Sequence, residues 1–147
     1  MKELINRAKN LKPLLNNIAQ IMLESVRKNF DNEGRVDKWA ALKRSTIKQR
    51  EKKGYWPGKI LQRSGMLKRS IQAFSDDTAA IVSTNIKYAG IHNYGGTIKQ
   101  ATRSNLRTKK QIKEKTIKIP KREFMKLTDK EIEKIKSTIT KYYTESI

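Results

Sequence analysis

The stretch Leu11-Lys12-Pro13-Leu14-Leu15-Asn16-Asn17-Ile18-Ala19-Gln20-Ile21-Met22-Leu23-Glu24-Ser25-Val26-Arg27-Lys28-Asn29-Phe30 decides the fold. Read from slightly upstream, apolar residues fall at Leu4, Ile5, Ala8, Leu11, Leu14, Leu15, Ile18, Ile21, Met22, Val26 and Phe30, mostly three or four apart. At 3.6 residues per turn, such steps stack on one face, so the spacing predicts a long amphipathic helix. Its stripe reads as core rather than as a membrane anchor. Pro13 has no amide hydrogen and clashes with a preceding turn, so it either kinks this helix or begins a second one.

At the far end, Thr128 is followed three residues later by Glu131, a capping box that satisfies amides otherwise left orphaned at a helix start. Leu127 and Ile132 are placed as a hydrophobic staple, and Ile132, Ile135, Ile139 and Tyr142 or Tyr143 line one face. A helix over about 129–143 follows.

Between the helices, Asp31 to Asp37 with Gly34 reads as a loop, and Trp39-Ala40-Ala41-Leu42 as an apolar anchor beneath it. Ser45 or Thr46 is placed to cap a short helix that ends at Lys53 before Gly54, and Tyr55-Trp56-Pro57-Gly58 reads as a turn. Asp76-Asp77 divides two segments rich in small and β-branched residues, which predicts a hairpin. Asn93-Tyr94-Gly95-Gly96 breaks the pattern again. Thr116 to Ile119 alternates as a strand does and stops at Pro120. The expected architecture is α+β: a long N-terminal helix and a C-terminal helix packed on a small antiparallel sheet. Its strands are Leu67 to Ser75, Ala79 to Thr84 and Thr116 to Ile119. All 147 residues are expected to form one domain.

Charge is the strongest compositional signal. There are 34 Lys and Arg against 14 Asp and Glu, a formal net charge of +20, which favours polyanionic partners. Ten of the basic residues fall between Ile98 and Arg122 (Lys99, Arg103, Arg107, Lys109, Lys110, Lys113, Lys115, Lys118, Lys121 and Arg122), against Glu114 alone. The first two thirds of that stretch have little apolar content, so 98–118 reads as an exposed basic loop or a long β-arm. Lys99, Arg103, Arg107, Lys109, Lys110 and Lys113, with Arg122, are candidates to face DNA or an assembly neighbour. Arg122 itself, charged beside a core position, is expected to meet a neighbouring subunit's carboxylate or solvent.

Catalytic patterns are weak. The chain has no cysteine and one histidine, His92, so neither a thiolate zinc site nor a histidine pair is available. No Gly-x-Ser-x-Gly turn accompanies His92, and Gly95-Gly96 lacks both the spacing and the lysine of a phosphate-binding loop. No run of apolar residues approaches the roughly 20 needed to cross a bilayer. The expectation is a protein without catalytic residues, cofactor or metal, with His92 in a structural role. Two other readings stay open: a basic nucleic-acid-binding domain, and an enzyme such as a nuclease.

Taken in order, the interior has a recognisable cadence. Phe30 precedes Glu33-Gly34, then Trp39 and Leu42; Thr46-Ile47-Lys48, Ile60-Leu61 and Ser64-Gly65-Met66-Leu67 come next, with Ser70-Ile71 after them. Tyr88-Ala89-Gly90-Ile91-His92-Asn93-Tyr94-Gly95-Gly96 and Ile119-Pro120-Lys121-Arg122-Glu123-Phe124-Met125, with Leu127 and Thr128, close the series. Across about Phe30 to Thr128 the chain resembles the phage virion morphogenesis family, the tail-completion proteins of Mu-like contractile-tailed phages. Lys121 stands where the family's usual wording has a small residue.

The resemblance implies a structural protein acting in tail completion or head-tail joining. It implies a homo-oligomeric ring at the tail end or neck, for instance a hexamer, with other tail or neck proteins as neighbours. The location implied is the virion, with the host cytoplasm during assembly, non-specific DNA contact as a further option and no membrane. Gly65, Leu67, Tyr88, His92, Gly95, Gly96, Pro120 and Phe124 are the residues through which it would set the scaffold. Gly65 is expected to turn the chain, Tyr88 and Ile91 to pack on the long helix, and Phe124 to bury itself beyond Pro120.

Overall fold

The computed structural model describes residues 9–101, 103–105, 110–112 and 114–144, with the side chains of 103–105 and 110–112 excepted. Leu4, Ile5 and Ala8 of the predicted stripe lie outside the described residues.

Helix α1 runs over Lys12–Asp31. Pro13 stands in its first turn, where an amide hydrogen would have no intrahelical acceptor, so it begins a helix rather than kinking one. The buried face comprises Leu14, Ile18, Ala19, Ile21, Leu23, Ser25, Val26, Asn29 and Phe30, wider than the predicted stripe and with two polar members. Phe30 is fully buried; Trp39 meets it edge-on with ring centroids 5.5 Å apart, and Phe124 lies tilted at 5.1 Å. The anchor read at Trp39 is thus part of the core, together with Leu23, Val26, Ile60, Leu67, Ile71 and Ala89.

Helix α2 spans Arg44–Lys52. It is capped at Lys43 without a side-chain bond, not at Ser45 or Thr46, because the Lys43 carbonyl already accepts from the amides of Thr46 and Ile47. A second correction concerns 66–71. The predicted strand from Leu67 opens instead as a one-turn helix, α3, over Met66–Arg69. Gly65, at φ +71°, turns the chain into it, and Leu67 and Ile71, four residues apart, both reach the core. That spacing suits a helical turn and not a strand.

The hairpin begins only at Gln72. Strand β1 (Gln72–Ser75) pairs antiparallel with β2 (Ala80–Ser83), and Asp76 Oδ1 closes the turn by accepting from the amides of Thr78 and Ala79 at 2.7 Å. Ala73 and Val82 pack on the core, whereas Phe74 and Ile81, directly paired, point outward. A short helix, α4 (Ala89–Tyr94), follows and ends at Gly95.

The basic stretch is a β-arm. Strand β3 (Gly96–Gln100) pairs with β6 (Lys115–Ile119), with Gly96 opposite Ile119 and Gln100 opposite Lys115. Further out, β4 (Arg103–Asn105) pairs with β5 (Lys110–Ile112). The strand ending at Pro120 therefore does not join the β1–β2 hairpin, and the described strands form three two-stranded antiparallel ladders, not one sheet. An arm that doubles back meets its own beginning first, and short loops close at the smallest entropic cost.

Helix α5 (Asp129–Thr144) is antedated by the predicted cap: Glu131 accepts from the Thr128 amide at 3.1 Å and from the Thr128 hydroxyl. It lies along α1, yet none of its described residues is fully buried, and Ile132 and Ile139 remain more than a third exposed. The fold is α+β, with a long helix at one end of the sequence, a second helix at the other, and small antiparallel ladders between.

Candidate functional site

Residues 120–127 belong to no helix or strand, so their backbone groups need side-chain partners. Buried asparagines supply several. Asn93 Oδ1 accepts from the amides of Phe124 (3.0 Å) and Met125 (3.1 Å), while Asn29 Nδ2 donates to the carbonyls of Phe124 (2.9 Å) and Lys126 (2.7 Å). Asn29 Oδ1 in turn accepts from Arg35 Nε at 2.9 Å. The Arg122 amide donates to the His92 carbonyl at 2.9 Å, which brings Lys121 against Gly95. A Cβ on Gly95 would stand 2.9 Å from the Lys121 nitrogen, and φ there is +74°, so both space and torsion call for glycine.

On the other side of this segment lies a cavity of about 800 Å³. Leu42, Leu61, Met66, Leu67, Ile117 and Ile119 give it apolar walls. Three arginines line it as well. Arg122 is almost fully buried; its Nη2 donates to the Ala40 carbonyl at 2.8 Å and its Nε to the same oxygen at 3.1 Å. Its acceptors among the described residues are carbonyls of its own chain, and it is buried rather than solvated. Arg50, equally buried, donates from Nη1 to the Lys59 carbonyl at 2.9 Å, and its Nε is buried without a partner among the described residues. Arg63 is exposed at the rim, stacked 5.1 Å above the ring of Tyr55.

Among the described residues, none of these three arginines forms an ion pair. Desolvation lowers the pKa of Arg50 and the Arg63 charge adds to it, with the Glu33 charge opposing both; desolvation followed by the Arg50 charge lowers that of Arg122. Both stay protonated, since an arginine titrates far above neutrality. The cavity thus holds a cationic field with no acidic residue in its lining.

His92 also lines the cavity, with its ring edge-on to Tyr88 at 5.9 Å and its Nδ1 buried without a partner among the described residues. Burial pushes its pKa below the ordinary value, and the neighbouring Arg122 pushes it further. Tyr88 is itself largely exposed, so Ala89, not Tyr88, makes the buried contact expected of this motif. Gly65, Leu67, Tyr88, His92, Pro120 and Arg122 therefore gather around one cavity or its immediate edge, and Phe124 lies on the core side.

The basic candidates separate from that cluster. Lys99 is exposed on β3, and Arg103 and Lys110 lie on β4 and β5. Arg107, Lys109 and Lys113 are outside the described residues. Among the described residues, no group of His, Asp and Glu is placed to hold a metal ion, and no helix is long and apolar enough to cross a membrane. Sequence reasoning missed Arg50 and the two asparagines. Arg50 looks like any surface cation of a basic helix, while Asn29 sits beside Phe30 on the stripe, the one hint available.

The comparisons agree with the cadence of these residues. One curated relative, named "Putative capsid assembly protein G" of Escherichia phage Mu, is 37% identical over 90 residues, which is 58% of this chain and 57% of that protein. The chain thus matches a little over half the length of that relative. No solved structure matches. The phage virion morphogenesis family matches over residues 1–144, and the chain belongs to it.

Proposed function

We propose that this chain is a non-enzymatic structural protein of a phage particle that acts in tail completion or head-tail joining, as a subunit of a closed ring at the tail end or neck. Family membership supports the assembly role. The observation that carries the finer reading is the doubled-back basic arm, β3 to β6, whose strand β3 is exposed along its whole length and offers a neighbour an extended surface. A ring needs heterologous contacts that close, and an arm reaching the next subunit supplies them.

The test is a phage carrying a nonsense mutation in this gene. Electron micrographs of its lysates should show heads and tails unjoined, or tails of irregular end, with infectivity restored by the wild-type chain in trans. Normal particles without the protein would refute the role. A second reading, a basic nucleic-acid-binding domain, draws on the net charge of +20. It requires a monomer that binds duplex DNA tightly at physiological salt.

A further inference from the structure

We propose that the β1–β2 hairpin of one copy docks in the arginine-lined cavity of the next, so that a head-to-tail contact joins copies of this chain. The inference rests on the ring reading above and names the surfaces that would make it.

The first observation is the cavity itself. Buried arginines normally face a carboxylate or another anion, because an uncompensated charge in a low-dielectric site is costly. Here the Arg50 charge acts on Arg122 and the Arg63 charge on Arg50. Glu33 acts on Arg50 from outside the lining, but no acidic residue lines the cavity and, among the described residues, none of the three arginines forms an ion pair. The walls around them are apolar. The complementary ligand is a segment that presents carboxylate beside apolar side chains.

The second observation is that this chain carries such a segment. Although basic residues are frequent everywhere else, none occurs between Arg69 and Lys87, and that interval holds Asp76 and Asp77. Its outer face exposes Phe74 (52%) and Ile81 (47%), which are direct cross-strand partners and form one apolar pair beside the acidic turn. Asp76 is committed to the turn through Thr78 and Ala79, while Asp77 is exposed at the tip. In a chain of net charge +20, self-association needs a locally acidic surface to meet the cationic one, and this hairpin supplies it.

A contact between two different patches is heterologous: each copy has one hairpin and one cavity, so copies add head to tail until the ring closes. Phosphate of DNA is the other anion that three arginines would accept, and the experiment distinguishes it.

Sedimentation velocity of the full chain at low salt is compared with Asp77→Lys, Phe74→Ser and Arg63→Glu, all at exposed positions, with circular dichroism confirming that each folds. The expected result is self-association weakened by about tenfold or more in each single variant and recovered in Asp77→Lys/Arg63→Glu, where the pair is reversed. An equimolar mixture of the two charge variants should also recover self-association, because native Asp77–Arg63 contacts then alternate with charge-reversed ones from copy to copy. Ring formation unchanged in all three variants would overturn this contact while leaving the ring reading in place. A wild-type chain that stays monomeric would overturn both. Loss of duplex DNA retention in Arg63→Glu with unaltered self-association would assign the cavity to phosphate and overturn the proposal.

Discussion

Arg35 Nη1 lies 2.7 Å from Glu131 Oε1, and this ion pair fixes helix α5 to the loop that leaves helix α1. The same guanidinium donates from Nε to Asn29 and from Nη2 to the Ser25 hydroxyl (2.6 Å) and carbonyl (3.0 Å). Four acceptors therefore converge on one planar donor set, three of them from α1. Glu131 does double duty, since it also caps its own helix at Thr128. Because α5 contributes no fully buried side chain, its attachment depends heavily on this polar junction.

Glu131 makes that junction pH-dependent. Burial opposes its ionisation, but the hydrogen bonds from Arg35 and Thr128 outweigh burial and hold the carboxyl at about 2, against an ordinary 4.5. A depressed acid contributes stability that is fully present above 4.5 and is lost as pH falls from there towards 2. Glu131→Gln should cost about 2 kcal/mol at pH 7 and flatten the stability profile over that acid window. Urea denaturation at pH 7 and pH 3 checks it; an unchanged slope in the variant would exclude Glu131 as the source.

His92 should add a second, milder dependence. Desolvation and then Arg122 depress its pKa below 6.5, so the unfolded chain binds a proton that the folded chain resists. Stability from this residue is full above 6.5 and declines as pH drops below that value. His92→Gln should remove the decline in stability that sets in as pH drops below about 6.5. A hydrolase or nuclease activity of the purified protein that vanishes in this variant would refute the structural role.

Asn29 satisfies two carbonyls of the segment beyond Pro120 and one donor of Arg35. Asn29→Leu keeps the branched shape at somewhat greater bulk and leaves those groups without partners, which should destabilise the chain by about 3 kcal/mol, more than an apolar truncation such as Val26→Ala. Thermal denaturation of the two variants side by side gives the ranking, and the reverse order would show that water replaces the lost bonds.

The basic arm is open to a direct test. Replacing Lys109, Lys110 and Lys113 with Ser should block ring formation or virion assembly with little change in DNA affinity, if the arm engages a neighbouring subunit. Should it engage DNA in the channel instead, the same changes reduce the salt slope of a sequence-independent affinity. Ordering an extended arm costs entropy that only new contacts offset, so protease should cleave within 98–118 more slowly in the assembled form. Equal, rapid cleavage in both forms would exclude ordering on assembly.

How much of this was legible depends on periodicity. The α1 stripe and the Thr128–Glu131 box are local patterns: α1 ends at Asp31, one residue past the expected Phe30, and α5 over Asp129–Thr144 matches the expected 129–143. The turn at Asp76-Asp77 was equally local. Strand partnership was not: Thr116 to Ile119 alternates whatever lies beside it, and nothing in its residues chooses β3 over β1 or β2. Leu67 and Ile71 were misread because a four-residue apolar step fits one helical turn as readily as the entry to a strand. The cavity was invisible for a different reason, since it is assembled from Arg50, Arg63 and Arg122, which are remote in sequence and ordinary in type.

The pairing of Phe30 with Phe124 has a consequence for biosynthesis. The ring that closes over Phe30 emerges from the ribosome only after the whole arm has been made, and Asn29 waits as long for the carbonyls it binds. At roughly 5 to 20 residues per second, the nascent chain spends several seconds with its aromatic centre uncovered. During that interval α1 presents a greasy face to the cytosol, a natural target for a holding chaperone. Slowed translation between codons 31 and 123 should therefore raise aggregation more than the same delay after codon 126.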